Sequence, residues 1–206
     1  MHTPPDATPM ENVFDILFAH IQKKVPLTVE DQQHIMRFFK PKKLRRRQYA
    51  LQQGEVCTHI SFVAQGLLKS YMLDEKGNEH INLFAWEGWW ISDFESFIFG
   101  SPAKLDMDAV EDSTLLLLSK DNYDRMLAEV PLMERYFRIL YQNSLATKDR
   151  RLISANSHTA EEKYALFLEA YPVISQRLPQ HLIASYLGLS AETISRIKKK
   201  ISAQRP

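Results

Sequence analysis

The chain has 206 residues, 45% of them apolar and 25% charged, with a net charge of +1. That balance is typical of a soluble globular protein of one large or two smaller domains, and no apolar run approaches the roughly 18 residues a membrane span needs. The single cysteine, Cys57, excludes an intrachain disulfide framework and a cysteine cluster for zinc or iron–sulfur, so a cytoplasmic protein without cofactor or metal is expected.

Residues 1–9 are polar and proline-rich, carry no apolar core for a signal peptide and are expected to be disordered. From Glu11 to Lys24, Val13, Phe14, Leu17, Phe18 and Ile21 recur at helical spacing, and Pro26 ends that helix. Thr28 caps a second helix, with Glu30 and Asp31 in its first turn where the dipole favours acid. Its apolar face reads as Ile35, Met36 and Phe39, and Pro41 closes it. Lys42, Lys43, Arg45, Arg46 and Arg47 then form the densest basic run in the chain. Neither interleaved aromatics nor a helical cap accompany it, so it reads as a solvated loop leading into a strand rather than as a nucleic-acid patch.

From Tyr49 the pattern changes to short strands with regular turns, at 49–52, 59–64, 67–73, 80–86 and 114–119. Asp74-Glu75-Lys76-Gly77-Asn78 signals a hairpin, and Gly54, Gly66 and Gly88 punctuate other turns. A small antiparallel barrel or roll is predicted. Ser119 caps a short helix over 121–129, and Pro131 opens a longer one, free of Gly and Pro from Leu132 to Ile153. In it Met133, Phe137, Leu140, Ser144 and Thr147 alternate at four and three, a heptad-like seam that Tyr136, Tyr141 and Leu145 widen. Such a seam serves a dimerisation helix or a helix packed on its own roll. Thr159 to Glu162 is a capping box for the next helix, which buries Tyr164, Phe167 and Leu168 and stops before Pro172.

The stretch LPQHLIASYLGLSAETISRIKKKI, Leu178 to Ile201, reads as two short helices with a tight corner. Ile183, Ala184 and Leu187 face inward from the first, and Gly188 suits the corner because it accepts positive φ. Ser190 caps the second, whose Ile194, Ile197 and Ile201 point inward. Apolar spacing alone would suit any helical hairpin; the small Ala184, the glycine, the cap and the isoleucines together favour a helix-turn-helix. Glu192, Thr193, Ser195, Arg196 and Lys199 lie on the outward face, side chains able to bond base edges or phosphates. Charge agrees: from Lys148 onward ten Lys and Arg stand against five Asp and Glu, a net of +5, and before it 16 stand against 20, a net of −4.

The run Ser190-Ala191-Glu192-Thr193-Ile194-Ser195-Arg196 resembles the opening of the recognition helix in the cyclic-AMP receptor and fumarate-nitrate regulator (Crp/Fnr) superfamily. QQGE and the stretch from Ile60 to Trp90 resemble the cyclic-nucleotide-binding roll of the same superfamily, so the likeness covers nearly everything from about Lys24 to Ile201. It implies an α+β chain: an N-terminal double-stranded antiparallel β-roll (a jelly roll like the cyclic-nucleotide-binding one) over 1–130, a dimerisation helix over 131–155 and a C-terminal helix-turn-helix over 156–206. The last is winged-helix-like with a truncated wing, because only SAQRP follows Ile201. Double-stranded DNA, a second copy of the chain, RNA polymerase and an unknown small-molecule effector are the partners the resemblance implies, with no membrane. Where that family usually reads guanine with an arginine, this chain has Ala191, leaving Glu192 and Arg196 to read bases; Gln180, Ser190 and Thr193 would hold phosphate.

In that family a Gly-Glu pair bonds the ribose and an Arg-Ser pair holds the cyclic phosphate. Here Ser92-Asp93 and Ala103-Lys104 stand in their places. Lys104 lacks the fork that suits a phosphate, and Asp106 and Asp108 would repel it, so cyclic AMP is not the expected effector. The aromatic neighbourhood of Trp86, Trp89, Trp90, Phe94, Phe97 and Phe99 reads as roll core more than as a ligand pocket. A metal-dependent enzyme on a similar roll would need clustered histidines, whereas His59 and His80 stand alone; no catalytic residues are assigned. The reading is a DNA-binding transcriptional regulator. The alternative is a ligand-binding or scaffolding roll whose helical tail does not engage DNA.

Overall fold

Short apolar strands that are hydrophobic on both faces need cover on both sides, and the first half of the chain supplies it with paired sheets and helices. The computed structural model describes residues 10–203, so the expectation for residues 1–9 falls outside it. Two helices come first, α1 (Met10–Gln22) and α2 (Val29–Met36). The strands are β1 (Phe39–Leu44), β2 (Tyr49–Leu51), β3 (His59–Gln65), β4 (Leu67–Leu73), β5 (Glu79–Trp86), β6 (Trp90–Ile91), β7 (Asp106–Ala109) and β8 (Ser113–Ser119), with α3 (Phe94–Phe99) between β6 and β7. One sheet has the order β1-β8-β3-β6 and the other β2-β7-β4-β5. In the first, β8 pairs antiparallel with β1 from Phe39↔Leu118 to Leu44↔Ser113 and with β3 from His59↔Ser119. The helices α4 (Lys120–Glu129), α5 (Leu132–Ser157), α6 (Ala160–Ala170), α7 (Ile174–Arg177), α8 (Gln180–Leu187) and α9 (Ala191–Ala203) follow.

Contacts divide the chain into two units: the residues up to Ser70 with Phe84–Ile139, and Tyr71–Leu83 with the residues from Leu140 onward. The first holds most of the roll, while the end of β4 and most of β5 fall in the second. Val13, Phe14, Leu17, Phe18 and Ile21 of α1 are all buried, as the helical spacing required. Gly66, at φ 95°, links β3 to β4 where a Cβ would lie 2.2 Å from Ser113 Oγ and 2.6 Å from the Asp112 carbonyl, so no other residue fits. The second helix ends at Met36, earlier than expected, and Phe39 instead starts β1. This strand, FKPKKL, is buried only at its two ends, so no alternation betrayed it; as an edge strand it tolerates Pro41, whose missing N–H would break an inner ladder. The basic run therefore sits on an edge strand and the turn after it, not in a loop alone. All four positions of β7 are buried, although two are acidic. Asp106 accepts from the Gln53 amide at 2.9 Å, and Asp108 faces Lys69 at 3.8 Å with both residues under one-tenth exposed.

An aromatic knot holds the first turns of α5 against the roll. Trp90 Nε1 donates to the Tyr136 hydroxyl at 2.8 Å, and His20 Nδ1 lies 2.8 Å from the same oxygen. Lys24 Nζ stands 3.0 Å from His20 Nε2. An ammonium can only donate, so Nε2 accepts and Nδ1–H donates to Tyr136, which fixes the neutral tautomer. Tyr136 and Phe137 are at most 2% exposed. Burial first, then the charges of Lys24 and Lys23, lowers the His20 pKa to about 4 from its ordinary 6.5. The unfolded chain therefore takes up the proton first as pH falls. The stability contributed by neutral His20 is complete above about pH 6.5 and is lost on the way down to about pH 4. Thermal unfolding followed across that window should show a falling midpoint in the parent and a flatter profile in His20→Gln; parallel profiles would refute the assignment.

Candidate nucleic-acid interface and effector cassette

The second unit ends in a helical bundle built around α8 and α9. Tyr164, Phe167, Ile174, Leu178, Leu182, Ile183, Ala184, Ile194 and Ile197 form its buried core. Between α8 and α9, Gly188 adopts φ 67°. The Leu189 amide donates to the Ala184 carbonyl at 2.9 Å and the Gly188 amide to Ser185 at 3.1 Å, so the left-handed glycine closes α8 with the paired bonds of a Schellman turn. Ser190 then caps α9, its Oγ accepting from the Thr193 amide at 3.1 Å. With Ile194 and Ile197 turned into the core, geometry leaves Ser190, Ala191, Glu192, Ser195, Arg196 and Lys199 exposed and Thr193 half-exposed; Gln180, at the start of α8, is exposed too. Arg196 Nη2 reaches Thr193 Oγ1 at 3.4 Å. Its own backbone amide first and then the Ser190 hydroxyl lower the Glu192 pKa, which keeps the carboxylate an acceptor. Lys198, exposed on the same helix, was not singled out from the sequence, where three consecutive lysines look alike. Ile201, expected inward, is 37% exposed.

Two contacts had no sequence signal. Ser185 of α8 receives the Ile81 amide at 3.0 Å and donates to the Glu79 carbonyl, so its hydroxyl completes the backbone bonding of the β4–β5 hairpin. Arg151 stacks 4.2 Å from the Tyr186 ring centre and donates to the Asn82 carbonyl. Burial, partly offset by Arg151, pushes the Tyr186 phenol up to about 12.

On α5 the expected seam is shared out. Met133 and Phe137 are buried, Phe137 against Trp90 and Tyr123, while Ser144 is exposed and Leu140 and Thr147 are half-buried. The large apolar side chains that α5 exposes are Leu145, Leu152 and Ile153, each more than 60% accessible.

In the roll, two of the three expected effector residues, Asp93 and Lys104, make contacts within the chain. Asp93 is 5% exposed and caps α3, one oxygen accepting from the Ser96 amide at 3.1 Å, the other from the Lys104 amide at 2.8 Å. The Lys104 side chain turns outward to Glu95, with both carboxylate oxygens 2.9 Å from Nζ, and that carboxylate raises the Lys104 pKa. Ser96 Oγ accepts from the Cys57 amide at 2.8 Å, tying the cassette to the turn before β3. A cavity of about 270 Å³ opens between the two sheets, lined among others by Leu51, Cys57, Ser61, Ile91, Met107 and Leu115; Ser92, Asp93 and Lys104 do not line it. No group of His, Cys, Asp and Glu among the described residues could hold a metal.

A two-sheet roll, a capped cassette, a long helix and a helix-turn-helix follow one another along the chain. Residues 41–130 match the cyclic nucleotide-binding domain family. The chain is 27% identical over 173 residues to the regulatory protein HlyX of Actinobacillus pleuropneumoniae, spanning 76% of this chain and 69% of that one. It is 22% identical over 207 residues to the transcriptional activator protein anr of Pseudomonas aeruginosa, spanning 93% and 82%. In fold it is similar to FixK2 from Bradyrhizobium japonicum, with a TM-score of 0.70 and 20% identity over 81% of this chain and 85% of that one. Residues 41–130 thus carry a cyclic nucleotide-binding domain, and the likeness to these relatives agrees with the resemblance of the sequence to the Crp/Fnr superfamily.

The cassette leads to one expected outcome. Asp93→Ala should lower roll stability by about 1–3 kcal/mol in urea melts, the cost of a lost cap and an unsatisfied amide. Calorimetry with cyclic AMP should show nothing tighter than millimolar for parent or variant; a micromolar, saturable isotherm would contradict it.

Proposed function

We propose that this chain is a sequence-specific transcriptional regulator that binds inverted-repeat DNA as a homodimer. The observation that carries the reading is the exposed polar row of α9 standing on its buried isoleucines, with its N-terminus capped and free to meet phosphate. Two relatives are named as a regulatory protein and a transcriptional activator, which supports it. Glu192 accepts from a cytosine amino group, Arg196 donates to guanine O6 and N7, and Ser190, Thr193 and Gln180 hold backbone. Lys199 adds charge without reading bases. Double-stranded DNA is the partner, the cytoplasm the compartment, and RNA polymerase the machine it meets at the promoter. The effector is a small molecule other than cyclic AMP, sensed in the roll.

Selection of bound duplexes from a random library supplies the operator. On it Arg196→Ala should cost about 1–3 kcal/mol and relax the preference at one base pair per half-site, while Lys199→Ala should weaken all sequences alike. Half-sites should lie about 10 base pairs apart or a multiple of one turn. Equal loss on selected and random DNA for Arg196→Ala would mean that it grips backbone only.

The dimer would form along α5. Because Met133 and Phe137 are already buried within the chain, the seam would lie along the exposed side, with Leu145 and Leu152 seven residues apart beside Leu140, Ser144 and Thr147. Leu145→Lys with Leu152→Lys should give monomers in light scattering without lowering the unfolding temperature of the roll. Dimers that survive both changes would place the seam elsewhere.

A further inference from the structure

The cavity between the two sheets is lined by side chains that strand register brings together. β8 pairs with β1 at Lys42↔Leu115 and Lys40↔Leu117, and with β3 at Val63↔Leu115 and Ser61↔Leu117; β3 pairs with β6 at Ser61↔Ile91. Residues directly opposite each other across a ladder share a face. Lys42, Leu115, Leu117, Ser61 and Ile91 therefore look to the same side of their sheet, and all five line the cavity. Leu51 and Met107 close it from the other sheet. The wall is mostly apolar. Its volume of about 270 Å³ lies below the range of drug-sized pockets and suits a molecule of about ten non-hydrogen atoms.

Two polar groups interrupt that wall. Ser61 is 7% exposed, yet its hydroxyl makes no hydrogen bond among the described residues. The hydroxyls of Ser96 and Ser113, buried as well, donate to the Ser101 and Glu111 carbonyls. A hydroxyl shut away from bulk water costs free energy until a partner meets it. Lys42 is exposed at the mouth, and its ammonium makes no ion pair among the described residues. The acid at the same mouth, Glu55, has a carboxylate oxygen engaged by the Gln52 amide at 3.1 Å. The lysines set the local field: after burial, Lys42 and then Lys40 lower the pKa of His59, which lines the cavity too.

We propose that this cavity binds a small amphipathic monocarboxylate bearing a hydroxyl, with its carboxylate at Lys42, its apolar body over Leu115, Leu117 and Ile91, and its hydroxyl at Ser61 Oγ. The site deepens the reading that the roll senses a small molecule, and rests on that reading for its role. It lies apart from the cyclic-nucleotide positions, since Ser92, Asp93 and Lys104 do not line the cavity. One ammonium is a point charge adequate for a carboxylate, whereas a phosphate calls for an arginine fork. A second negative charge on the ligand would also meet Glu55. A buried hydroxyl in turn discriminates against a ligand that leaves it unpaired.

The test uses the full chain and three probes: β-hydroxyoctanoate, octanoate and the methyl ester of β-hydroxyoctanoate. Calorimetry should give one saturable site for β-hydroxyoctanoate, tighter than millimolar. Octanoate and the ester should each bind about fivefold more weakly, the first for the unpaired hydroxyl and the second for the lost charge contact. Ser61→Ala should bind the hydroxylated and plain acids alike, and Lys42→Gln the acid and its ester alike. Ser61→Ala removes no bond made within the chain, so its unfolding temperature should hold or rise, which separates lost binding from misfolding. Cys57 is the one thiol in the chain and lines the cavity, so its alkylation by N-ethylmaleimide should slow as β-hydroxyoctanoate saturates. A parent without a saturable isotherm overturns the inference. Binding that leaves both variants like the parent, or Cys57 as reactive as before, overturns it too, since the acid would then lie elsewhere on the protein. Affinity for the selected duplex is measured in parallel. A parent that binds the duplex but not the acid removes this inference alone. A parent that binds the acid with no change in duplex affinity keeps the site and removes only its role as the effector's.

Discussion

One phenol oxygen carries much of the roll's order. Tyr136 Oη accepts from Trp90 of β6 and from His20 of α1, so a strand, the first helix and the start of α5 meet on one atom. Each donor would be an unsatisfied buried group without it, and each is packed against other rings: Trp90 against Phe62 at 5.3 Å and Phe137 at 5.3 Å, His20 against Phe62 at 5.7 Å. Hydrogen bonds of this kind add little net stability individually, but breaking one leaves a desolvated donor behind, which costs more than the bond was worth. The knot is thus a positional constraint on where α5 begins.

The same accounting explains why the cassette holds its shape without a ligand. A carboxylate and a hydroxyl, Asp93 and Ser96, satisfy three backbone amides between them, at Ser96, Lys104 and Cys57. The lysine that resemblance set beside an anion is instead drawn outward by Glu95. The chemistry left facing the inter-sheet cavity is mixed, with Ser61 and Cys57 beside Leu51, Met107 and Leu115. Lys42, Glu55 and His59 line it as well, so basic and acidic groups stand there beside the neutral ones.

Legibility in the sequence followed the locality of the forces. Thr28, Ser119, Thr159 and Ser190 all cap the helices assigned to them, because a cap is a bond across three residues. Gly188 turns the helix-turn-helix for the same local reason, and Leu67–Leu73 emerged with both ends right. What stayed hidden depends on distant partners. Phe39 looked like one more turn of helix until β8 supplied its strand partner, Leu118. Asp106 and Asp108 read only as charges that would repel a phosphate, because Gln53 and Lys69, which make their burial tolerable, lie far away in the chain. On α5, period alone could not say that Met133 and Phe137 are covered from within the chain while Leu145 is not. Ser185 gave no hint at all, its partners being about a hundred residues away.

That last contact bears on how this chain can change over generations. Glu79, Ile81 and Asn82 give their main-chain groups to Ser185 and Arg151. Main-chain groups are indifferent to side-chain identity, so point substitutions at these three positions leave the pairing intact. Gaining or losing one residue between Asp74 and Asn82 is another matter, since it shifts which amide and which carbonyl arrive opposite the serine. Surface hairpins ordinarily tolerate such length changes well. This one is expected to drift freely in spelling and scarcely at all in length.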